Sequence, residues 1–394
     1  MQFNLKLTEK GAIYVTSQQP VDIHGKPYNR SLLVGVLLIG TFCTILNQTL
    51  LTTALPTLMK EFDISASSVQ WLTTGFLLVN GIMIPISAWL INKFSSKKLY
   101  ITAMSTFLIG TIICFVAQDF GMLLTGRLVQ AAGVGVSMPL LQTIMLSIFP
   151  PEKRGAAMGT TGIVIGLAPA LGPTLSGWII DSYTWRDLFG MVIPIVVLVL
   201  ILASFLMKNV IQLSNPSIDV LSVILSTLGF GSLLYGFSSV GDKGWGSPQV
   251  YGFLIVGAIV LCLFTYRQLH LEQPFLELRV FKSKVFTVAA ILSGVTNMAM
   301  IGAEMVLPLY IQNIRGESAF HSGLMLLPGA LVMGLMMPVT GRIFDKIGAR
   351  RLAITGMFIL TAATLPFAFL TKATPIIYII VLYAIRMFGI SMVM

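Results

Sequence analysis

Apolar runs long enough to cross a lipid bilayer return so often along this chain that they decide which solvent it can fold in. A helix needs about 20 apolar residues to span a ~30 Å hydrocarbon core, and such runs fall near residues 31–55, 70–92, 99–118, 122–148, 156–180, 188–207, 219–240, 250–267, 286–312, 319–343, 352–371 and 374–394. Of the 394 residues, 56% are hydrophobic and 10% charged, whereas soluble domains carry roughly 25% charged residues. A water-facing surface cannot be assembled from so few charges, so the bilayer is the solvent. Twelve spans and an all-α polytopic membrane protein are expected. Barrel strands would alternate apolar and polar residues, and SLLVGVLLIG and PIVVLVLILA show no such period.

The formal charge of +10 finds its explanation in topology. With the N-terminus inside, eighteen Lys and Arg fall in cytoplasmic segments and five in external loops, namely Lys60, Arg186, Lys243, Arg315 and Lys372; Arg127 and Arg386 lie within spans. This is the positive-inside asymmetry, and it removes the need for a nucleic-acid partner. Residues 1–30 are polar, and Lys26 and Arg30 lead into a span too long for a signal-peptide core, so the first span is expected to act as an uncleaved anchor. Cys43, Cys114 and Cys262 sit in spans as packing thiols, and His24, His270 and His321 are scattered. No metal-ligand spacing, nucleophile elbow or P-loop occurs. Neither an enzyme nor direct ATP drive is expected; the energy source is an ion gradient and no cofactor is required.

The chain also repeats itself. GRIFDKIGARRL at 341–352 matches AWLINKFSSKKL at 88–99 at an offset of 253, and VLP at 306–308 follows ALP at 54–56 at an offset of 252. Parallel repeats around a central cavity are a transporter architecture. The spacing divides the chain into an N-terminal segment 1–30, a six-helix repeat 31–207, an inserted hairpin with its linkers 208–283, and a second repeat 284–394. The second repeat has room for four helices, so a 6+2+6 plan is expected of which the last two spans are missing here.

These residues resemble the major facilitator superfamily. GRIFDKIGARR fits its cytoplasmic-turn signature, with AWLINKFSSKK a weaker copy; RLVQAAGVG from Arg127 resembles the fourth-helix signature; GLAPALGPTLSGW, with Gly166, Pro169, Gly172, Pro173 and Gly177, resembles the antiporter motif; and LNQTLLTTALP resembles the first helix of fourteen-span QacA/EmrB-type exporters, with Asn47 in place of Asp. The resemblance implies a monomeric bacterial drug exporter of the cytoplasmic membrane, near the lincomycin-resistance type, exchanging a small molecule for protons.

Each motif has a physical reading. The basic turns anchor orientation, and the resemblance adds a conformational latch involving Asp345, Lys346, Arg350 and Arg351 in the second copy and Asn92 and Lys93 in the first. The helix-five glycines permit close packing. Ionisable groups inside a bilayer are functional by default. Glu304 is the one acid well inside a span and is the candidate proton carrier; the alternative is that it snorkels from about one turn below the external end. Arg127 keeps its charge at physiological pH and is the candidate coupling residue, with Asn47, Gln48, Gln130 and backbone carbonyls as polar partners in the cavity. Arg386 stands at a related place in the second repeat, but at an offset of 259 rather than 253. Two other readings stay open: an exporter of one specific metabolite, and a non-transporting remnant.

Overall fold

Each of the apolar runs becomes a helix in the computed structural model, which describes residues 6–7, 13–14, 20–23, 25–214, 219–272, 274 and 276–394. A two-residue strand pair, β1 (Lys6–Leu7) and β2 (Ile13–Tyr14), precedes them. The helices are α1 (Arg30–Phe62), α2 (Ala66–Lys93), α3 (Ser96–Phe115), α4 (Phe120–Ile148), α5 (Arg154–Ser182), the short α6 (Asp187–Gly190), α7 (Val192–Leu206), α8 (Val220–Lys243), α9 (Pro248–His270), α10 (Lys284–Leu309), α11 (Ala319–Ile347), α12 (Ala349–Thr364) and α13 (Ile376–Val393). With α6 and α7 forming one run, twelve segments among the described residues are long and apolar enough to cross a membrane.

Polar residues between the runs set the helix ends. The side chains of Asn29, Ser65, Asp119 and Ser318 accept hydrogen bonds from backbone N–H groups in the first turns of α1, α2, α4 and α11 at 3.1, 3.2, 2.8 and 3.1 Å, satisfying donors that the helix leaves free. At the other end of α11, Gly348 adopts φ 80° and α12 begins at the next residue. A side chain would be strained at that φ, so the junction within GRIFDKIGARRL depends on its second glycine.

Two buried clusters organise the bundle. One draws on α1 to α7, including Leu37, Phe76, Tyr100, Phe107, Leu140 and Val196. The other is smaller and draws on α10 to α13, including Leu307, Met333, Leu360, Tyr383 and Met387. The hairpin α8–α9 pairs with itself and rests through α8 on α2. Its base is clamped by Arg267, which donates to both carboxylate oxygens of Asp219 at 2.8 and 2.9 Å.

Leaving lipid gives an apolar side chain no hydrophobic gain, so membrane helices associate through close backbone approach and polar bridges. The pair α5 and α11 joins the two clusters on this basis, running along one another. A Cβ placed on Gly155 would lie 2.6 Å from the Gly341 carbonyl oxygen, closer than any real contact, so the first glycine of GRIFDKIGARRL marks a backbone crossing. Hydroxyls supply the bridges: Tyr100 donates to the Val36 carbonyl at 3.0 Å, Ser176 to that of Leu50 at 2.7 Å and Thr340 to that of Ser391 at 2.7 Å.

Candidate functional site

The first helix cluster is built around a charge. Arg127, on the face of α4 turned to α1 and α2, is fully buried. Its Nη1 donates to Asn47 Oδ1 of α1 at 2.9 Å and to Gln130 Oε1 at 2.8 Å, and Nε points to the Leu72 carbonyl of α2 at 3.4 Å. Gln130 in turn donates to Thr111 Oγ1 of α3 at 2.8 Å, and Thr111 to the Phe107 carbonyl at 2.7 Å. The guanidinium also stands 4.3 Å from the centroid of the Phe76 ring, a cation–π arrangement. Four helices thus share one cation through neutral dipoles, with no carboxylate in the network among the described residues. Of the expected partners, Asn47 and Gln130 are present and Gln48 is not. One residue along a helix is a 100° rotation, which takes Gln48 off the face that Asn47 presents.

Glu304 belongs to the other cluster, half-buried on α10. Its carboxyl forms no ion pair among the described residues. Glu304 and Arg127 therefore do not meet; they lie in separate helix groups. Arg386 is 1% exposed and donates from Nε to Thr364 Oγ1 of α12 at 3.2 Å and from Nη2 to the Ala299 carbonyl of α10.

Between the groups, Asp345 in the last turn of α11 accepts hydrogen bonds from the Gly155 and Ala156 backbone N–H groups at 3.0 and 3.1 Å. These are free donors of the first turn of α5, at the positive end of its dipole, where a carboxylate is favoured. Asp345 thus serves a helix N-terminus in the opposite group. The bases expected beside it make no ion pair with it: Lys346, Arg350 and Arg351 are exposed and none is paired among the described residues. The first-copy residues lie elsewhere. Asn92 donates to the Ala88 carbonyl within α2 and its own carbonyl accepts from the Ser214 N–H; Lys93 covers the Trp89 ring at 4.6 Å. Among the described residues, the bridge between the groups at this end comes from the second copy.

Helix five carries the other expected residues. Pro169 and Pro173 lie inside an uninterrupted α5. Gly166 and Gly177 face α11 at Gly334 and Phe320, whereas Gly172 faces α1, where an added Cβ would lie 2.7 Å from Thr49 Cβ. The motif is a two-sided packing surface. The α5 donors at Gly155 and Ala156, the Thr111 link and the Thr364 and Ala299 partners of Arg386 carry no signature in the sequence; for Gly155, the spacing of small residues in RGAAMGTTG was the available sign. Beside the Asp345 bridge lies a cavity of about 350 Å³ whose walls include Met158, Met337, Thr340 and Phe344. Neither Arg127 nor Glu304 lines it.

Two groups of apolar helices, each enclosing an arginine and bridged at one end by a carboxylate on a helix N-terminus, make up an all-α polytopic membrane protein. The chain belongs to the Major Facilitator Superfamily, whose family profile matches residues 37–394. It is 55% identical over 372 residues to the uncharacterized MFS-type transporter YcnB of Bacillus subtilis, covering 94% of this chain and 79% of that one. It is 44% identical over 362 residues to the lincomycin resistance protein LmrB of Listeria monocytogenes, covering 92% and 77%. To the multidrug export protein EmrB of Escherichia coli it is 31% identical over 328 residues, covering 83% and 64%. These relatives are transporters, not enzymes.

Proposed function

We propose that the chain exports small, mostly apolar or cationic compounds from a bacterial cell across the cytoplasmic membrane in exchange for protons, with its N-terminus in the cytoplasm. The two helix groups alternate access by pivoting along α5 and α11. The observation that carries this reading is Glu304, a carboxylate within an apolar span that forms no ion pair among the described residues. Such a group can hold a proton from one side and release it to the other. Arg127, permanently charged and held by Asn47 and Gln130, cannot carry a proton and instead keeps four helices of the first group in register. Asp345 of α11, bound to the first turn of α5, is the latch that favours closure at the cytoplasmic end. The names of two relatives supply candidate substrates, lincomycin and chemically varied drugs. The reading needs protons, a substrate and a lipid bilayer, with no cofactor, metal or nucleic acid, and a monomer suffices.

The test uses everted membrane vesicles given a pH gradient, with lincomycin and ethidium as probes. The expected result is gradient-driven uptake that falls at least tenfold in Glu304→Gln while exchange of labelled for unlabelled compound persists. Undiminished gradient-driven uptake in that variant would remove Glu304 from proton coupling.

A further inference from the structure

The inserted hairpin is fastened to the first helix group differently at its two ends. At the end nearer the Asp345 bridge the fastening is direct. The segment that follows α7 is bonded to the turn between α2 and α3: the Ser214 N–H donates to the Asn92 carbonyl at 3.0 Å, and the Lys97 N–H donates to Asn209 Oδ1 at 3.3 Å. Along the middle, α8 lies on α2 through small residues, with Leu234 against Gly81 and Ile82 against Gly231. At the opposite end the two helices share no hydrogen bond among the described residues. Their polar side chains face a cavity of about 150 Å³ instead, walled by Gln70, Trp71 and Thr74 of α2 and by Tyr235, Ser238, Ser239 and Lys243 of α8.

The donors around this cavity define what fits it. Among the described residues no carboxylate lines it. Lys243 donates to Gln249 Oε1, and Gln249 Nε2 donates to the Tyr235 hydroxyl oxygen at 3.3 Å. A neutral amide thus positions the ammonium without cancelling its charge, two of the three ammonium donors stay free, and the phenol keeps its own hydrogen to give. Lys243 enters no ion pair among the described residues. Ser239 is committed, donating to the Tyr235 carbonyl at 2.8 Å, whereas the side chains of Gln70, Thr74 and Ser238 form no hydrogen bond among the described residues. One uncancelled cation with hydroxyl and amide donors on two helices selects an anion with several acceptor oxygens, and a lysine ammonium is a common point-charge partner of phosphate.

Size and depth narrow the choice. Drug-sized ligands occupy clefts of about 300–1,000 Å³, so this cavity admits a small polar group and not an exported compound. It lies at the edge of the bilayer: the apolar span of α2 starts at Ser68, that of α8 ends at Gly241, and Lys243 is just beyond. Trp71 and Tyr235 form one wall with ring centroids 5.6 Å apart, Phe253 of α9 backs Tyr235 at 4.5 Å, and Trp245 in the hairpin turn is exposed. Aromatic side chains gather at headgroup depth, where phosphate belongs to lipid.

We propose that the junction of α2 and α8 binds the phosphate of an anionic phospholipid, with Lys243 as its counter-charge and Thr74, Ser238, Gln70 and Tyr235 as hydrogen-bond donors. The phosphate bridges the two helices and fastens the hairpin to the first group at the end where the protein supplies no bond of its own.

The experiment counts lipids retained by the full chain in detergent by native mass spectrometry, with phosphatidylglycerol and phosphatidylcholine as probes. The expected result is one phosphatidylglycerol held at least about tenfold more tightly than phosphatidylcholine, the worth of one hydrogen bond to a charged group, and not displaced by inorganic phosphate at the same concentration. Lys243→Gln loses this preference. The double variant Thr74→Val with Ser238→Ala, which leaves the net charge unchanged, weakens it, and Lys372→Gln, an exposed lysine outside the cavity, leaves it intact. Equal retention of the two lipids by the wild type overturns the proposal, as does an unchanged preference in the cavity variants or an equal loss in Lys372→Gln, which would mark a general effect of surface charge. Displacement by inorganic phosphate overturns the lipid as the source of the anion. Should either cavity variant fail to elute as folded protein, the other decides.

Discussion

The conduct of single residues here follows from how many neighbours a charge can satisfy. Arg127 serves Asn47 and Gln130 from one nitrogen, and its removal strands two buried acceptors. Arg127→Gln is expected to destabilise the first group by on the order of 1–3 kcal/mol for each acceptor left unpaired, read as a lowered thermal midpoint in detergent. Arg127→Lys is expected to recover little of this, because an ammonium on a flexible stem does not reproduce the fork of a guanidinium. Asp345 acts at a single point. Asp345→Ala removes two charge-assisted hydrogen bonds to α5, and the cytoplasmic end is expected to open more often. A tenfold rise in thiol-labelling rate at Met158→Cys would correspond to about 1.4 kcal/mol of latch energy; an unchanged rate would show that the contact does not hold the end closed.

At the scale of elements, the pair α5 and α11 is where the two groups meet and where backbone proximity is most demanding. Gly341→Ala places a methyl against the Gly155 backbone, whereas Gly252→Ala on α9 meets nothing within 4 Å. The first substitution is expected to reduce transport strongly and favour the opened end, and the second to leave uptake within about twofold of wild type, since surface changes are usually within ±0.5 kcal/mol. Equal effects would mean that the crossing is not where the groups pivot. The sequence made this element partly legible. Glycines at helical spacing announced a packing face on α5 but not its partners, because small residues declare only that something approaches. Which helix approaches, α1 at Gly172 or α11 at Gly155 and Gly166, depends on the arrangement of the whole bundle.

For the whole molecule, orientation and breadth of substrate are the open properties that experiment can fix. With the N-terminus inside, as proposed, Lys346 lies on the cytoplasmic side and Lys243 outside. Cysteines introduced there are expected to react with an impermeant reagent from the inside and the outside respectively; reaction from one side would reverse or break the topology. A susceptibility panel with unrelated cations and antibiotics separates a drug exporter from an exporter of one metabolite. Protection against several unrelated compounds is expected, and protection against a single compound would sink the polyspecific reading.

Twelve spans, their order and their rough ends were determined by the sequence itself, because crossing a bilayer is a local requirement met by each apolar run and its polar flanks. The repeat was legible for the same reason: GRIFDKIGARRL and AWLINKFSSKKL are continuous in the chain. Contacts between distant segments were decided by tertiary structure. Asp345 finds the first turn of α5 and not its neighbouring bases, because α5 presents two free N–H groups at the helix crossing. Arg386 is held through Thr364 of α12 and Ala299 of α10, partners that no motif announces, because those helix faces meet only once the bundle has assembled. Local chemistry can be read along the chain; the pairing of charges across a membrane bundle depends on which helix faces come together.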